Sequence, residues 1–220
     1  MTIPTISPAT PPPLKRTYVY VDGFNLYFRA LNRRNTTGLK WLNLETLCKS
    51  YLMNHDILKI KYFTASVSGR YEPDKPLLQQ AYLRALRTLP TVEIIYGKYA
   101  FNEYKIKISR DAKILWEVPE EKRTDVNIGA HLINDAHLKR FDTAIIVSND
   151  SDLAEVLRLG RDELGVSVGL LNPAEDFNNE LLKYANQNEL YKIRENAVRG
   201  AQFPDTFTDK KGSITKPATW

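Results

Sequence analysis

The segment TAIIVS, residues 143–148, is apolar at four consecutive positions. Successive side chains of a β-strand point to opposite faces of the sheet, so a strand without polar alternation has to be covered on both faces. Sheets covered in this way are typically parallel, with helices in the two outer layers. This run therefore favours an α/β fold over an antiparallel sandwich or a helical bundle.

Other strand-like runs alternate with segments of helical periodicity along the chain. Strands are predicted at residues 17–21, 57–67, 91–101 and 143–148, and helices at residues 72–89 and 124–140. Two further alternating segments, EYKIKIS and AKILWEV, indicate a β-hairpin at the edge of the sheet. We therefore predict a three-layer α/β/α sandwich with a mostly parallel central sheet and a β-hairpin insertion.

Composition limits the domain organisation and the class of protein. The proline-rich residues 1–16 predict a disordered leader, residues 17–203 the folded domain, and the polar residues 204–220 a flexible tail. The single cysteine, Cys48, excludes an intrachain disulfide and a cysteine-rich zinc site, and we expect it in the core. No apolar run has the ~18 residues of a membrane span, and the N-terminus lacks a signal-peptide core. We expect a cytoplasmic protein.

Carboxylates follow the predicted strands where those strands end. Asp22 ends the first strand, Asp150 and Asp152 follow the TAIIVS strand, and Asp125 lies in the first turn of the helix before it. Taken singly, each has an ordinary explanation as a helix cap or a turn residue. Ligands of open parallel sheets bind beyond the carboxyl ends of the strands, however, and all four acids are predicted at that edge.

Clustered carboxylates repel one another and raise one another's pKa unless a cation neutralises them. Oxygen ligands without histidine or cysteine favour Mg²⁺ or Mn²⁺ over zinc. The sequence therefore predicts a Mg²⁺ or Mn²⁺ site at the carboxyl edge of the sheet.

Three segments, VYVDGFNLYF, EKRTDVNIGAHLINDA and TAIIVSNDSDL, resemble in their order and spacing the NYN-domain family of PIN-like ribonucleases. The resemblance extends over residues 17–203 and implies a PIN-like α/β/α fold, a Mg²⁺ or Mn²⁺ site and hydrolysis of RNA phosphodiester bonds. We therefore expect an endoribonuclease in which the ion activates water for in-line attack on phosphorus.

The resemblance also assigns roles to residues of this chain. It implies that Asp22, Asp125 and Asp150 hold the metal, that Asp152 assists, and that Asn25 orients the first acid or the phosphate. Ser148 and Asn149 match the residues that shape the site before the third acid, and we group them with the substrate-binding residues. One position departs from the family pattern, because Arg123 stands where many relatives have glycine.

A net charge of +5 and a pI near 9.1 are compatible with RNA binding. Lys122 and Arg123 precede the acidic helix and are the predicted phosphate contacts. Further candidates are Arg33, Arg34, Lys98, Lys105 and Lys107 for phosphates, and Tyr99, Phe101, Tyr104 and Trp116 for base stacking.

Several alternatives stay open from the sequence. The main one is a regulator that keeps the PIN-like fold and binds RNA or protein without cleaving. DNA is an alternative substrate, because the same metal site cuts either backbone, and assembly into a homo-oligomer is compatible with the sequence. A haloacid-dehalogenase-type phosphatase is disfavoured, because Phe24 stands where its second acid belongs. His131, His137 and Asp135 resemble a second metal set, but we expect His131 and Asp135 to face solvent.

Overall fold

The structure, a computed structural model, describes residues 13–32, 38–70, 72–107 and 113–220, and it describes side chains outside residues 99–122. Several predictions lie outside these limits. They concern the leader up to residue 12, Arg33 and Arg34, and the side chains of Lys122 and of the basic and aromatic candidates at 99–116.

A six-stranded parallel sheet forms the middle layer, in the order β3-β2-β1-β6-β7-β8. The strands of the described residues are β1 (Lys15–Asp22), β2 (His55–Thr64), β3 (Val92–Tyr96), β4 (Lys98–Lys107), β5 (Lys113–Lys122), β6 (Thr143–Val147), β7 (Ser167–Asn172), β8 (Leu190–Lys192), β9 (Thr206–Asp209) and β10 (Gly212–Thr215). The first two residues of β1, Lys15 and Arg16, had been predicted as the end of the leader. They are strand residues because they pair with the start of β2.

Helices cover both faces of the sheet. They are α1 (Gly23–Leu26, continued by a π-helical turn at Tyr27–Leu31), α2 (Leu44–Tyr51), α3 (Lys75–Leu86), α4 (Thr124–His137), α5 (Ala154–Arg158, preceded by a 3₁₀ turn at Ser151–Leu153 and followed by a π-helical turn at Leu159–Glu163), α6 (Asn179–Leu182) and α7 (Glu195–Gly200). No helix within the described ranges has the length and apolar character that a bilayer crossing requires.

The core is split in two by the sheet. Val19 and Val21 of β1 face a core with α1, α2, α3 and α7, whereas Tyr20 faces a core with α4, α5 and α6. Every residue of β6 is buried, as its uninterrupted apolar run requires. The predicted three-layer α/β/α sandwich with a parallel central sheet is therefore confirmed.

The predicted hairpin insertion is also present. Strands β4 and β5 pair antiparallel from Lys98 opposite Lys122 to Lys107 opposite Lys113. The strand predicted at residues 91–101 was too long, because β3 leaves the main sheet after Tyr96. Gly97 donates its N–H to the Thr64 carbonyl, and the chain then turns into β4.

The structure contradicts the prediction that residues 204–220 form a flexible tail. Strands β9 and β10 form a hairpin, and Ile214 is buried against the core on the α2–α3 side. The rings of Phe203, Phe207 and Trp220 lie 5.8, 6.4 and 6.0 Å from the ring of Trp41. The segment lacks apolar periodicity because these few large side chains fill one gap around Trp41 instead of lining a face.

Candidate metal centre

The acidic residues gather where the direction of the chain across the sheet reverses. From β1 the chain builds β2 and β3 on one side and then returns to place β6 on the other side. Such a reversal leaves a crevice at the carboxyl ends of the two central strands, because the following segments diverge from there. Asp22 is the last residue of β1, and Asp150 lies just beyond the end of β6.

Asp22, Asp125 and Asp150 each offer a carboxylate oxygen, and these oxygens lie within 4.8 Å of one another. Asp22 is buried, and the other two side chains are half-buried at the surface. Three oxygens no more than 4.8 Å apart fit inside a circle of radius about 2.8 Å, so an ion can lie within that distance of all three. This is close to the ~2.0–2.6 Å at which Mg²⁺ and Ca²⁺ bind oxygen. The three acids therefore fit a divalent cation with only small side-chain adjustments.

Asp22 is held from two sides. Its Oδ1 accepts a hydrogen bond from the Asn25 backbone N–H at 2.9 Å, which makes it the N-cap of α1. Its Oδ2 accepts a hydrogen bond from the Ser148 hydroxyl at 3.0 Å. The carboxylate is fixed at the junction of β1 and β6 because each oxygen has a donor from a different strand end.

Gly23 allows α1 to start directly after this carboxylate. A Cβ atom at this position would lie 2.6 Å from the Phe63 carbonyl oxygen and 2.7 Å from the Tyr62 hydroxyl. The Tyr62 ring therefore occupies the space that a side chain would need. Burial, followed by the negative charge of Asp22, raises the pKa of the Tyr62 phenol, so the phenol stays neutral beside the acid. Tyr62 was not among the predicted site residues, because its place in β2 is typical of a core aromatic.

Asp150 is oriented by the turn that follows β6. Its Oδ1 accepts the Asp152 N–H at 3.1 Å and so caps the 3₁₀ turn, and its own N–H donates to the Ser148 hydroxyl at 3.2 Å. Ser148 thus contacts Asp22 through its proton and Asp150 through its lone pair. One buried hydroxyl couples two of the three acids.

Asn149 connects the centre to two neighbouring segments. Its backbone N–H donates to the Asn25 Oδ1 at 3.1 Å, and its side chain donates to the Asp176 carbonyl at 3.0 Å. Its Oδ1 accepts the Asn178 N–H at 2.8 Å. Asn178 was not among the predicted site residues; its local signal is that of a helix cap, since it is the N-cap of α6.

The pKa of Asp125 reflects its burial and the repulsion between the clustered acids. Burial, followed by the charges of Asp22, Asp150 and Asp152, raises the pKa of Asp125 to about 6. Its position in the first turn of α4 favours negative charge, but this does not offset the neighbouring acids. A cation at the centre would remove this repulsion.

Asp152 and Arg123 lie at the rim. Asp152 is exposed and stands outside the three-acid group, although its charge reaches Asp125. Arg123, at the N-cap of α4, is exposed and has a left-handed backbone with φ of 76°. Left-handed backbone favours glycine over residues with a Cβ, so the glycine that the resemblance leads one to expect here would adopt this conformation more easily than Arg123.

The expectation that Asp135 faces solvent was wrong. Its side chain is fully buried, and it accepts hydrogen bonds from the Tyr20 hydroxyl at 2.9 Å, Lys61 Nζ at 2.5 Å and Arg140 Nη1 at 2.7 Å. His131 is half-buried, with its Nδ1 3.2 Å from Lys61 Nζ. Lys61 comes from a distant strand, so the pattern of α4 alone gave no sign of this contact. These residues anchor α4 to the sheet.

Cys48 lies in the core as predicted. Its side chain is 1% exposed, and burial, followed by the charge of Glu45, raises the pKa of its thiol to about 12. A thiol in that state is not a nucleophile at neutral pH.

Comparisons with known proteins agree with the fold and add one unexpected relative. The NYN domain family model matches residues 16–191. The 6-hydroxy-3-succinoylpyridine 3-monooxygenase HspA of Pseudomonas putida (strain DSM 28022 / S16) is 31% identical over an alignment 240 positions long, which covers 93% of this chain and 75% of that protein.

Among solved structures, a protein of unknown function from Vibrio parahaemolyticus RIMD 2210633 has a similar fold. Its TM-score is 0.55 at 17% identity, with 83% of this chain and 94% of that chain covered. At this identity the similarity concerns the fold alone. Because the family model extends from the start of the sheet to its last strand, β8, this protein belongs to the NYN domain family.

Proposed function

We propose that this protein is a metal-dependent ribonuclease that hydrolyses RNA phosphodiester bonds at the acidic centre. The observation that carries the proposal is the convergence of Asp22, Asp125 and Asp150, from three separate segments, within 4.8 Å at the switch point of the sheet. Membership of the NYN domain family supports the same chemistry.

The donor set favours a hard cation. Three carboxylates at this spacing suit Mg²⁺ or Mn²⁺, which prefer oxygen ligands. When bound, such an ion activates water and neutralises charge that develops on the phosphate. Asp22, Asp125 and Asp150 would hold the ion.

The surrounding residues have separate roles in the proposal. Ser148 and Asn25 keep the Asp22 carboxylate in place through their hydrogen bonds, and Asn149 ties the two strand ends together. Asp152, exposed at the rim, would accept a hydrogen bond from the attacking water. Arg123 and Lys122, which precede α4, would contact phosphates of the RNA.

The proposal is tested by incubating single-stranded and structured RNAs with the purified chain in Mn²⁺, Mg²⁺ or EDTA, beside the Asp150→Asn variant. We expect cleavage by the wild type only when metal is present, and none by the variant. A DNA oligonucleotide of matching sequence measures the preference for RNA. Cleavage that persists in EDTA or in the variant would contradict the proposal.

Melting curves separate metal binding from catalysis. A ligand that binds only the native state stabilises it by ~2.7 kcal/mol at 100 times its Kd, so millimolar Mn²⁺ should raise the Tm of the wild type and not of Asp150→Asn. RNA binding with a metal-dependent Tm but without cleavage would support the non-cleaving regulator instead.

The Pseudomonas relative supports a second candidate function. Its name describes oxygenation of a hydroxypyridine ring, and its similarity covers nearly the whole of this chain. An activity of that class would consume O₂, two electrons and two protons, and would release a hydroxylated aromatic product and one water molecule. Incubation with hydroxypyridines, O₂ and a reduced nicotinamide tests this candidate, and product formation without RNA cleavage would favour it.

A further inference from the structure

Helix α1 carries two aromatic rings that belong to neither core. Phe24 is half-buried and Phe28 is 61% exposed, and both are absent from the two core clusters formed by the described residues. Their ring centroids lie 6.4 Å apart with an interplanar angle of 22°, so the rings stack. The inward face of the same helix is occupied by Leu26 and Ala30.

The exposed ring is held in a defined orientation. Phe28 makes an edge-on contact with Tyr27, with centroids 5.1 Å apart at 81°. The ammonium of Lys40 lies 5.5 Å from the centre of the Tyr27 ring and adds positive charge beside it. Phe28 thus contacts the rings of both Phe24 and Tyr27, while 61% of its surface stays open to solvent.

The helix that carries this aromatic pair starts at the acidic centre. Asp22 caps α1, Phe24 is the second residue of the helix, and Phe28 follows one turn later. At ~1.5 Å of rise per residue, Phe28 lies about 9 Å from Asp22 along the helix axis. A nucleic acid with one phosphate at the three acids therefore has neighbouring nucleotides within reach of the rings.

We propose that Phe28, supported by Phe24, stacks on an unpaired base of the single-stranded RNA whose phosphate occupies the acidic centre. The inference rests on the proposed ribonuclease function and adds a preference for single strands. Stacking on an aromatic ring contributes ~1–3 kcal/mol per base and tolerates any base, because every base has a π-face. Bases within a duplex are stacked on one another and are not available to the ring.

The test compares Phe28→Ala, Phe28→Trp and the control Leu77→Ala, which shortens a side chain that is 66% exposed on α3. Cleavage and binding are measured with a single-stranded RNA, a duplex of the same sequence and an abasic ribo-oligonucleotide of the same length. Binding is followed by fluorescence anisotropy with Ca²⁺ in place of Mn²⁺.

We expect Phe28→Ala to weaken single-stranded RNA binding and to lower kcat/KM about 5- to 150-fold, which corresponds to ~1–3 kcal/mol at 1.4 kcal/mol per tenfold. Phe28→Trp should restore both, because indole also stacks. For the abasic and duplex substrates, binding and kcat/KM of Phe28→Ala should differ from the wild type by less than about twofold, since neither substrate offers a free base. Leu77→Ala should match the wild type.

The outcomes separate this inference from the proposed function. If the wild type cleaves RNA but Phe28→Ala binds single strands normally, or loses abasic and base-containing substrates equally, the stacking role is wrong and the ribonuclease stands. If the wild type binds single strands through Phe28 without cleaving, the stacking role stands and the ribonuclease is wrong. If the wild type binds no RNA, or if Phe28→Ala impairs only hydroxypyridine turnover, the inference falls.

Discussion

Asp150 gives the sharpest single-residue test of the centre. Asp150→Asn keeps an oxygen that can accept the Asp152 N–H, so the turn after β6 should stay folded. It removes one negative charge from the proposed ion site. We expect metal-dependent cleavage to fall by more than about 100-fold, since even the outer partners of metal ligands are worth ~10–100-fold.

The metal-free stability of this variant gives a second readout. Removal of one repelling carboxylate should leave the free energy of unfolding unchanged or raise it, as measured by urea unfolding in EDTA.

Asp152→Asn, which changes an exposed acid outside the three-acid group, is the matched control for the cleavage assay and should reduce cleavage less than Asp150→Asn. Equal losses in both variants would contradict the three-acid assignment.

Asp125 predicts a pH dependence. Its folded pKa of about 6 lies above its unfolded value of ~3.9, so the native metal-free chain binds more protons between these values. The contribution of Asp125 to stability is therefore complete below about pH 4 and is lost as the pH rises through about 6. Urea unfolding in EDTA at pH 4.5 and 7 should show this loss in the wild type and a reduced loss in Asp125→Asn.

The same proton would compete with a cation bound at the proposed site. Metal ligands have to be deprotonated, so Mn²⁺ affinity should rise with pH up to about 6 and then level off. Isothermal titration calorimetry of the wild type at pH 5 and 7 measures the change. An affinity independent of pH over this range would indicate that Asp125 is not a ligand.

At the start of helix α4, Arg123 combines a charge with an unfavourable backbone. A left-handed conformation costs ~1–2 kcal/mol for a residue with a Cβ, so Arg123→Gly should leave the protein equally stable or stabilise it by up to ~1 kcal/mol. Arg123→Ala removes the charge and keeps the strain. If Arg123 contacts phosphate, both variants should weaken RNA binding and reduce its salt dependence, while only the glycine variant gains stability.

Helix α4 is fixed to the sheet by a buried charge. Burial raises the pKa of Asp135, but hydrogen bonds from Lys61, Arg140 and Tyr20 outweigh it and lower the pKa below its usual range. Asp135→Ala would leave Lys61, itself 4% exposed, without this counter-charge. Loss of one partner of a buried pair costs ~3–5 kcal/mol, which chemical unfolding should detect. Tyr20→Phe, which removes one neutral donor, should cost only about 1 kcal/mol.

For the molecule as a whole, the C-terminal hairpin is part of the core. Ile214 is 3% exposed and lies in the same cluster as Trp41 and Tyr82. Truncation of a buried isoleucine to alanine costs ~2–5 kcal/mol, so Ile214→Ala should lower the free energy of unfolding by about that amount. The exposed Lys210→Ala in the same hairpin is the control. If Ile214→Ala had no effect on stability, this would support the predicted flexible tail instead.

Local patterns in the amino-acid sequence are sufficient for the α/β class, the parallel sheet, the β4–β5 hairpin and the placement of acids at strand ends. Strand and helix periodicities act over a few residues, and a carboxylate after an apolar strand has to lie at the edge of the sheet. Asp22 and Asp150 were accessible to prediction for that reason.

The remaining features depend on contacts between distant segments. Lys61 of β2 and Tyr20 of β1 make Asp135 a buried anchor, although its position on α4 resembles that of a surface acid. The polar tail packs against Trp41. The indole N–H of Trp41 donates to the carbonyl of Pro204, which lies 163 residues further along the chain. Burial and ion pairing depend on which surfaces meet, so only the tertiary structure decided these two features and the 4.8 Å spacing of the three acids.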